Sequence, residues 1–100
     1  GNTAGAAGIA EMLLQSQADY IHLLPALPSA WPDGSISGLC ARGGFQISLR
    51  WRSHRLVSAT ISSREGGNCS VRYGDTRTAV RVDAGNSTHL TQASFDNKRA

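Results

Sequence analysis

A chain of 100 residues that is 40% hydrophobic and 17% charged has room for one modest core, because a domain of this size buries only about two-thirds of its unfolded surface. It has no run of roughly 18 apolar residues, which excludes a membrane-spanning helix, and its apolar content is too high and too patterned for a disordered tail. The net charge of +3 comes from nine arginines and one lysine scattered along the chain rather than interleaved with stacking aromatics, so it carries no nucleic-acid signature.

The first predicted element is a helix over residues 2–17. Asn2 or Thr3 caps it, and Ile9, Met12, Leu13 and Ser16 recur on one face. The other side holds Ala4, Ala6, Ala7, Ala10 and Leu14, leaving Glu11, Gln15, Ser16 and Gln17 as the hydrophilic positions. A helix apolar on nearly every side is buried on nearly every side. So short a chain cannot enclose it, and the expectation is a rod wrapped by helices from elsewhere. No basic stretch precedes the apolar run as it would in a secretory leader. With Gly-Asn at its start and Met12 as its methionine, the chain is expected to be an excerpt or a processed product.

Residues 19–34 read as a packed connector. Pro25, Pro28 and Pro32 forbid a regular helix, while Ile21, Leu23, Leu24, Leu27 and Trp31 anchor the segment as a strap between two layers. Pro32-Asp33-Gly34 is a turn signal. From Ser35 the period changes to two. Phe45, Ile47, Leu49 and Trp51 alternate with Gln46, Ser48, Arg50 and Arg52, and Val57, Ala59 and Ile61 alternate with Ser58, Thr60 and Ser62. Cys69, Val71 and Tyr73 follow the same rule, as do Val80 and Val82. Such alternation, separated by Gly-, Asn- and Asp-rich turns, specifies antiparallel strands over 35–91 with one wet face. Residues 92–100 carry no pattern and are expected to fray. The predicted fold class is α+β: one N-terminal helix over 1–18, then an antiparallel β-sandwich-like domain.

No catalytic constellation emerges. His22, His54 and His89 lie in a connector, a hairpin tip and the tail region, with no nucleophile signature beside them. Glu11, Asp33, Glu65, Asp75 and Asp83 are dispersed and read as solvated charge, with Glu11 a candidate for satisfaction at a helix contact. Cys40 and Cys69 match no zinc spacing and are expected to be buried free thiols. No metal or cofactor is implied. The glycine- and alanine-rich residues 1–8 lack the lysine and preceding strand of a phosphate loop. Asn68-Cys69-Ser70 and Asn86-Ser87-Thr88 fit the N-glycosylation acceptor pattern, which matters only in a eukaryotic secretory pathway.

Three blocks in fixed order are recognisable. Gly1-Asn2 followed by Ala7-Gly8-Ile9-Ala10-Glu11-Met12-Leu13-Leu14-Gln15-Ser16 is the first. Ile21-His22-Leu23-Leu24-Pro25-Ala26-Leu27-Pro28 with Ala30-Trp31-Pro32-Asp33-Gly34 is the second, and Gly38-Leu39 with Ala41-Arg42-Gly43-Gly44-Phe45 the third. Together they resemble the C-terminal portion of glycoside hydrolase family 95, the α-L-fucosidases: last helix of an α/α barrel, connector and C-terminal β domain. The chain departs from the family's pattern at Cys40, where a basic residue is more usual, and at Thr3-Ala4. The resemblance implies a secreted or periplasmic parent enzyme that removes terminal fucose from glycans with inversion. Its acid and base carboxylates would lie outside this chain, the base just ahead of Gly1-Asn2. The chain alone is then expected to be inactive and structural, with Asn2 its substrate-binding candidate. Its implied partners are the rest of the parent's helical barrel and the parent's fucosylated glycan, with no nucleic acid and no membrane. The alternative is a self-standing carbohydrate-binding module using Tyr20, Trp31, Trp51 or Tyr73 as sugar platforms.

Overall fold

The computed structural model describes residues 11–17 and 19–96. Most of the helix expected over 2–17, including Asn2 and the glycine- and alanine-rich stretch, lies outside the described residues. Residues 11–13 are helical, but the chain then becomes strand β1, Leu14–Ser16, where the periodicity predicts helix to Gln17. The reason is a partner. β1 pairs antiparallel with β2, Ile21–Leu23, with Leu14 opposite Leu23 and Ser16 opposite Ile21. The backbone N–H of Leu24 and of Ala26 donate to the carbonyls of Leu13 (2.8 Å) and Met12 (3.2 Å), which extends the pairing.

Six longer strands follow: β3 Gly34–Ala41, β4 Phe45–Arg52, β5 Arg55–Ser63, β6 Gly67–Tyr73, β7 Thr76–Val82 and β8 Asn86–Thr91. They form two four-stranded sheets, β1-β2-β6-β7 and β3-β4-β5-β8. β1 lies beside β3 at one lateral edge, and β7 beside β8 at the other. Every pairing is antiparallel except β2 with β6. That pair is parallel because the intervening chain crosses to the other sheet and back, as a parallel connection requires.

The alternation expected for β4 is observed: Phe45, Ile47, Leu49 and Trp51 are buried and face Leu23, Val71, Val80 and Val82 across the sandwich. Fully burying side chains such as Ile47, Ile61 and Val71 stabilises by about 1.5–3 kcal/mol each. Two bulges correct the simple pattern. In β5, Arg50 pairs with Ser58 but Trp51 with Leu56, so Val57 is the extra residue and is exposed while Leu56 is fully buried. In β3, two residues intervene between Ile36 and Leu39, with Gly38 at φ +78°. The shift turns Leu39 toward the core and Cys40 outward, so Cys40 is exposed rather than the buried thiol expected.

The hairpin tips follow turn chemistry. Ser53 and His54 both have positive φ, the two-residue arrangement whose twist matches antiparallel strands. The proline-rich connector straps onto this tip. The backbone N–H of His54 donates to the Pro32 carbonyl (2.8 Å), that of Ser53 to Asp33 Oδ1 (2.9 Å), and the Trp51 indole to the Trp31 carbonyl (3.0 Å). Gly34 lies directly under the Trp51 ring, where a Cβ would come within 2.5 Å of it.

The fraying expected over 92–100 is corrected for residues 92–96, while 97–100 lie outside the described residues. Gln92–Phe95 forms a 3₁₀ turn that buries Phe95 edge-on against Tyr73, ring centroids 5.8 Å apart. Tyr73 in turn accepts the Leu56 backbone N–H at its hydroxyl (3.0 Å), a bond between the two sheets.

Candidate functional site

The lateral edge where β1 meets β3 holds a groove of about 440 Å³ lined by Glu11, Leu14, Gln15, Ser16, Gln17, Leu39 and Cys40. Ser16 Oγ accepts the Arg42 backbone N–H (2.7 Å), fastening β1 to the β3–β4 turn, and the Gln17 amide donates to Gln15 Oε1 (3.2 Å). Met12, one of two exposed large hydrophobic residues among those described, neighbours Glu11 in sequence. One carboxylate, two amides, a hydroxyl, an exposed thiol and a little apolar surface make a groove suited to packing and hydrogen bonding. It lacks the second carboxylate that general acid–base hydrolysis of a glycoside needs.

The same holds elsewhere. All seven carboxylates of the chain are described and exposed. Glu11, expected at a satisfied helix contact, is exposed in the β1/β3 groove. Asp19 lines a second groove with Tyr20, Arg42, Asn68 and Ser70. Asp33 caps the Ser53 amide, and Asp75 and Asp83 lie 3.7 and 3.6 Å from Arg72 and Arg81. Glu65 is at the β5–β6 turn.

The histidines are likewise spread apart. Burial, and then the Arg72 charge, hold the His22 imidazole below its ordinary pKa. His54 Nε2 is 2.9 Å from the Ser29 carbonyl, so the hairpin tip clamps the connector with this ring. His89 Nδ1 lies 3.1 Å from Thr60 Oγ1 on the outer face of the second sheet. Among the described residues no three His, Cys, Asp or Glu side chains gather closely enough to hold a metal ion.

The four aromatic candidates for sugar stacking are committed to the fold. Trp51 is buried, and Trp31 packs against the core. Tyr73 is taken up by Phe95 and the Leu56 amide. The Tyr20 ring has the Arg77 guanidinium 4.1 Å and that of Arg72 5.7 Å from its centroid, contacts that outlying aromatics make for stability. Arg72 also donates to the Gly74 carbonyl (2.7 Å) and reaches the Tyr20 hydroxyl (3.4 Å), so this cluster locks the β1–β2 connection to the β6–β7 hairpin.

Asn2, the substrate-binding candidate, lies outside the described residues. The β1/β3 groove escapes sequence reading because Leu14–Gln17 fits the end of a helix. The polar run Gln15-Ser16-Gln17 ahead of the alternating Tyr20-Ile21-His22-Leu23 is the signal for a hairpin there.

Comparison with known proteins gives one consistent answer. The sequence profile described as glycoside hydrolase family 95, C-terminal domain, matches residues 15–99. The chain is similar to Alpha-L-fucosidase 2 of Arabidopsis thaliana, 45% identical over 65 residues that cover 64% of this chain and 8% of that protein. It is also similar to Probable alpha-fucosidase A of Aspergillus oryzae, 38% identical over 58 residues, 58% of this chain and 8% of that protein. A third similar protein, Probable alpha-fucosidase A of Aspergillus niger, is 36% identical over 52 residues, 49% of this chain and 7% of that protein. The chain thus matches less than a tenth of the length of these relatives.

Proposed function

Because the chain belongs to the glycoside hydrolase family 95 C-terminal domain family, we propose that it is the C-terminal brace of an α-L-fucosidase-like enzyme and contributes no catalytic group of its own. The observation that carries this reading is the match over residues 15–99, joined to a surface on which every carboxylate is exposed and no described groove is lined by two of them. Removal of terminal fucose with inversion requires two carboxyl groups roughly 6.5–9.5 Å apart across the scissile bond. In this reading the remainder of the parent, a helical barrel, supplies both.

The β1/β3 groove is the surface through which the sandwich meets that barrel. The polypeptide arrives there, at Glu11–Leu14, and Met12 and Leu39 offer apolar surface beside hydrogen-bonding amides. The sandwich, held rigid by its two-sheet core, fixes the position of the segment that leads back to the sugar pocket. Such positioning matters because reacting groups must be held within fractions of an ångström.

An assay of the isolated chain on an aryl α-L-fucoside tests the reading. It is expected to give no hydrolysis above the uncatalysed rate at any pH. Turnover that follows the chain through purification would contradict it.

A further inference from the structure

We propose that the outer face of the β1-β2-β6-β7 sheet carries a binding site for a tetrahedral oxyanion, a sulfate or phosphate group either free or esterified to a sugar, held between Arg72 and Arg77. The register sets these two residues directly opposite each other on β6 and β7, and His22 on β2 is the next member of the same row. Side chains so placed have Cβ atoms about 4.5–5.5 Å apart, and like charges there repel. The fold holds two guanidinia together against that repulsion, which an anion seated between them removes.

The carboxylates nearby do not neutralise the pair. Arg72 meets Asp75 at 3.7 Å, beyond hydrogen-bond range, and the Asp75 side chain is fully exposed, so this surface contact contributes little. The other ion pair among the described residues joins Arg81 to Asp83, which leaves Arg77 without a carboxylate partner among them. The depressed pKa of His22, owed to burial and then to the Arg72 charge, is consistent with a positive field that reaches the neighbouring strand.

Both guanidinia are positioned in advance. Arg77 lies 4.1 Å from the centroid of the Tyr20 ring. Arg72 donates through Nε to the Gly74 carbonyl (2.7 Å) and through a terminal nitrogen to the Tyr20 hydroxyl (3.4 Å), and its side chain is about a third exposed. Donors already held in place bind with less ordering cost. The adjacent row of the same face is Ser70 opposite Ala79, side chains too short to cover the arginines. A planar carboxylate is matched by the fork of one guanidinium, whereas two guanidinia arriving from separate strands suit oxygens disposed in several directions. Arg52 and Arg55 also face each other, across the β4–β5 hairpin. They are exposed and have no aromatic ring beneath them among the described residues, so they supply the control.

The test is to titrate the full chain with sodium sulfate, ionic strength being kept constant with sodium chloride, while NMR follows the ring resonances of His22, His54 and His89. A saturable shift is expected at His22, with its pKa moving upward as the anion offsets the Arg72 charge, and none of comparable size at His54 or His89. Arg77→Gln should weaken binding about tenfold, the effect of losing a hydrogen bond to a charged group. Arg52→Gln, which removes the same charge elsewhere, should leave it unchanged. Parallel titrations with glucose 6-sulfate and with glucose distinguish the sources: tighter binding of the ester than of free sulfate assigns the site to a sulfated sugar, and the reverse assigns it to the inorganic ion. No saturable change at His22, equal changes at all three histidines, or equal losses in the two variants would overturn the proposal. The readout is anion binding rather than hydrolysis, so its failure is distinct from failure of the brace reading, on which it does not rest.

Discussion

At the scale of single residues, the two cysteines show how one backbone irregularity redirects chemistry. Cys40 is exposed because the β3 bulge reverses the facing of the residues after it, and Cys69 is half-buried on β6. Burial pushes the Cys69 thiol above its ordinary pKa, and the thiolate is the reactive form. A maleimide at neutral pH should therefore modify Cys40 first and Cys69 much more slowly, as read by peptide mass; equal rates would contradict the assigned facing. His22 provides a pH test. Burial and then the Arg72 charge hold its folded pKa below the ordinary 6.5, so the folded state resists a proton that the unfolded chain accepts. The stability this contributes is complete above the unfolded pKa and is lost as pH falls through the folded one. Urea midpoints of the wild type should drop more steeply with acidification below about 6.5 than those of His22→Gln, and parallel slopes would refute the assignment. Gly34 is constrained by the Trp51 ring above it. Gly34→Ala should cost about 1–3 kcal/mol by overpacking, measured by denaturant titration. None of these three features is legible in the sequence, because each depends on register or on a partner distant along the chain.

At the scale of elements, strict alternation made β4 and the second halves of β6 and β7 readable, since one face of each meets the core and the other water. Reading failed where a long-range partner overrode local pattern. Leu14–Ser16 fits a helix in isolation, yet pairs with Ile21–Leu23 and becomes strand. Val57 fits the inward positions of β5, yet the Trp51–Leu56 pairing ejects it. The tail looked patternless because its single anchor, Phe95, is one residue rather than a repeat. That anchor closes the end of the sandwich, and Phe95→Ala should cost about 3–5 kcal/mol. Truncation after Thr91 should have a comparable effect on the thermal midpoint. A truncated chain as stable as the whole would return the tail to the frayed state that its composition suggests.

At the scale of the whole molecule, the family was legible in three short blocks, and the comparisons bear it out over residues 15–99. The candidate site was not, because a docking groove has no motif: it is made when two edge strands from different sheets come together. The proposed division of labour, chemistry in the preceding barrel and rigidity in the sandwich, is tested most directly by deletion in the parent enzyme. The parent lacking the counterpart of residues 15–99 is to be compared with the intact enzyme for hydrolysis of an α-L-fucoside, with and without this chain added in trans. The deletion should abolish activity or soluble folding, and the added chain should restore part of it while remaining inactive alone. A truncated parent that folds and hydrolyses at the full rate by itself would contradict the brace.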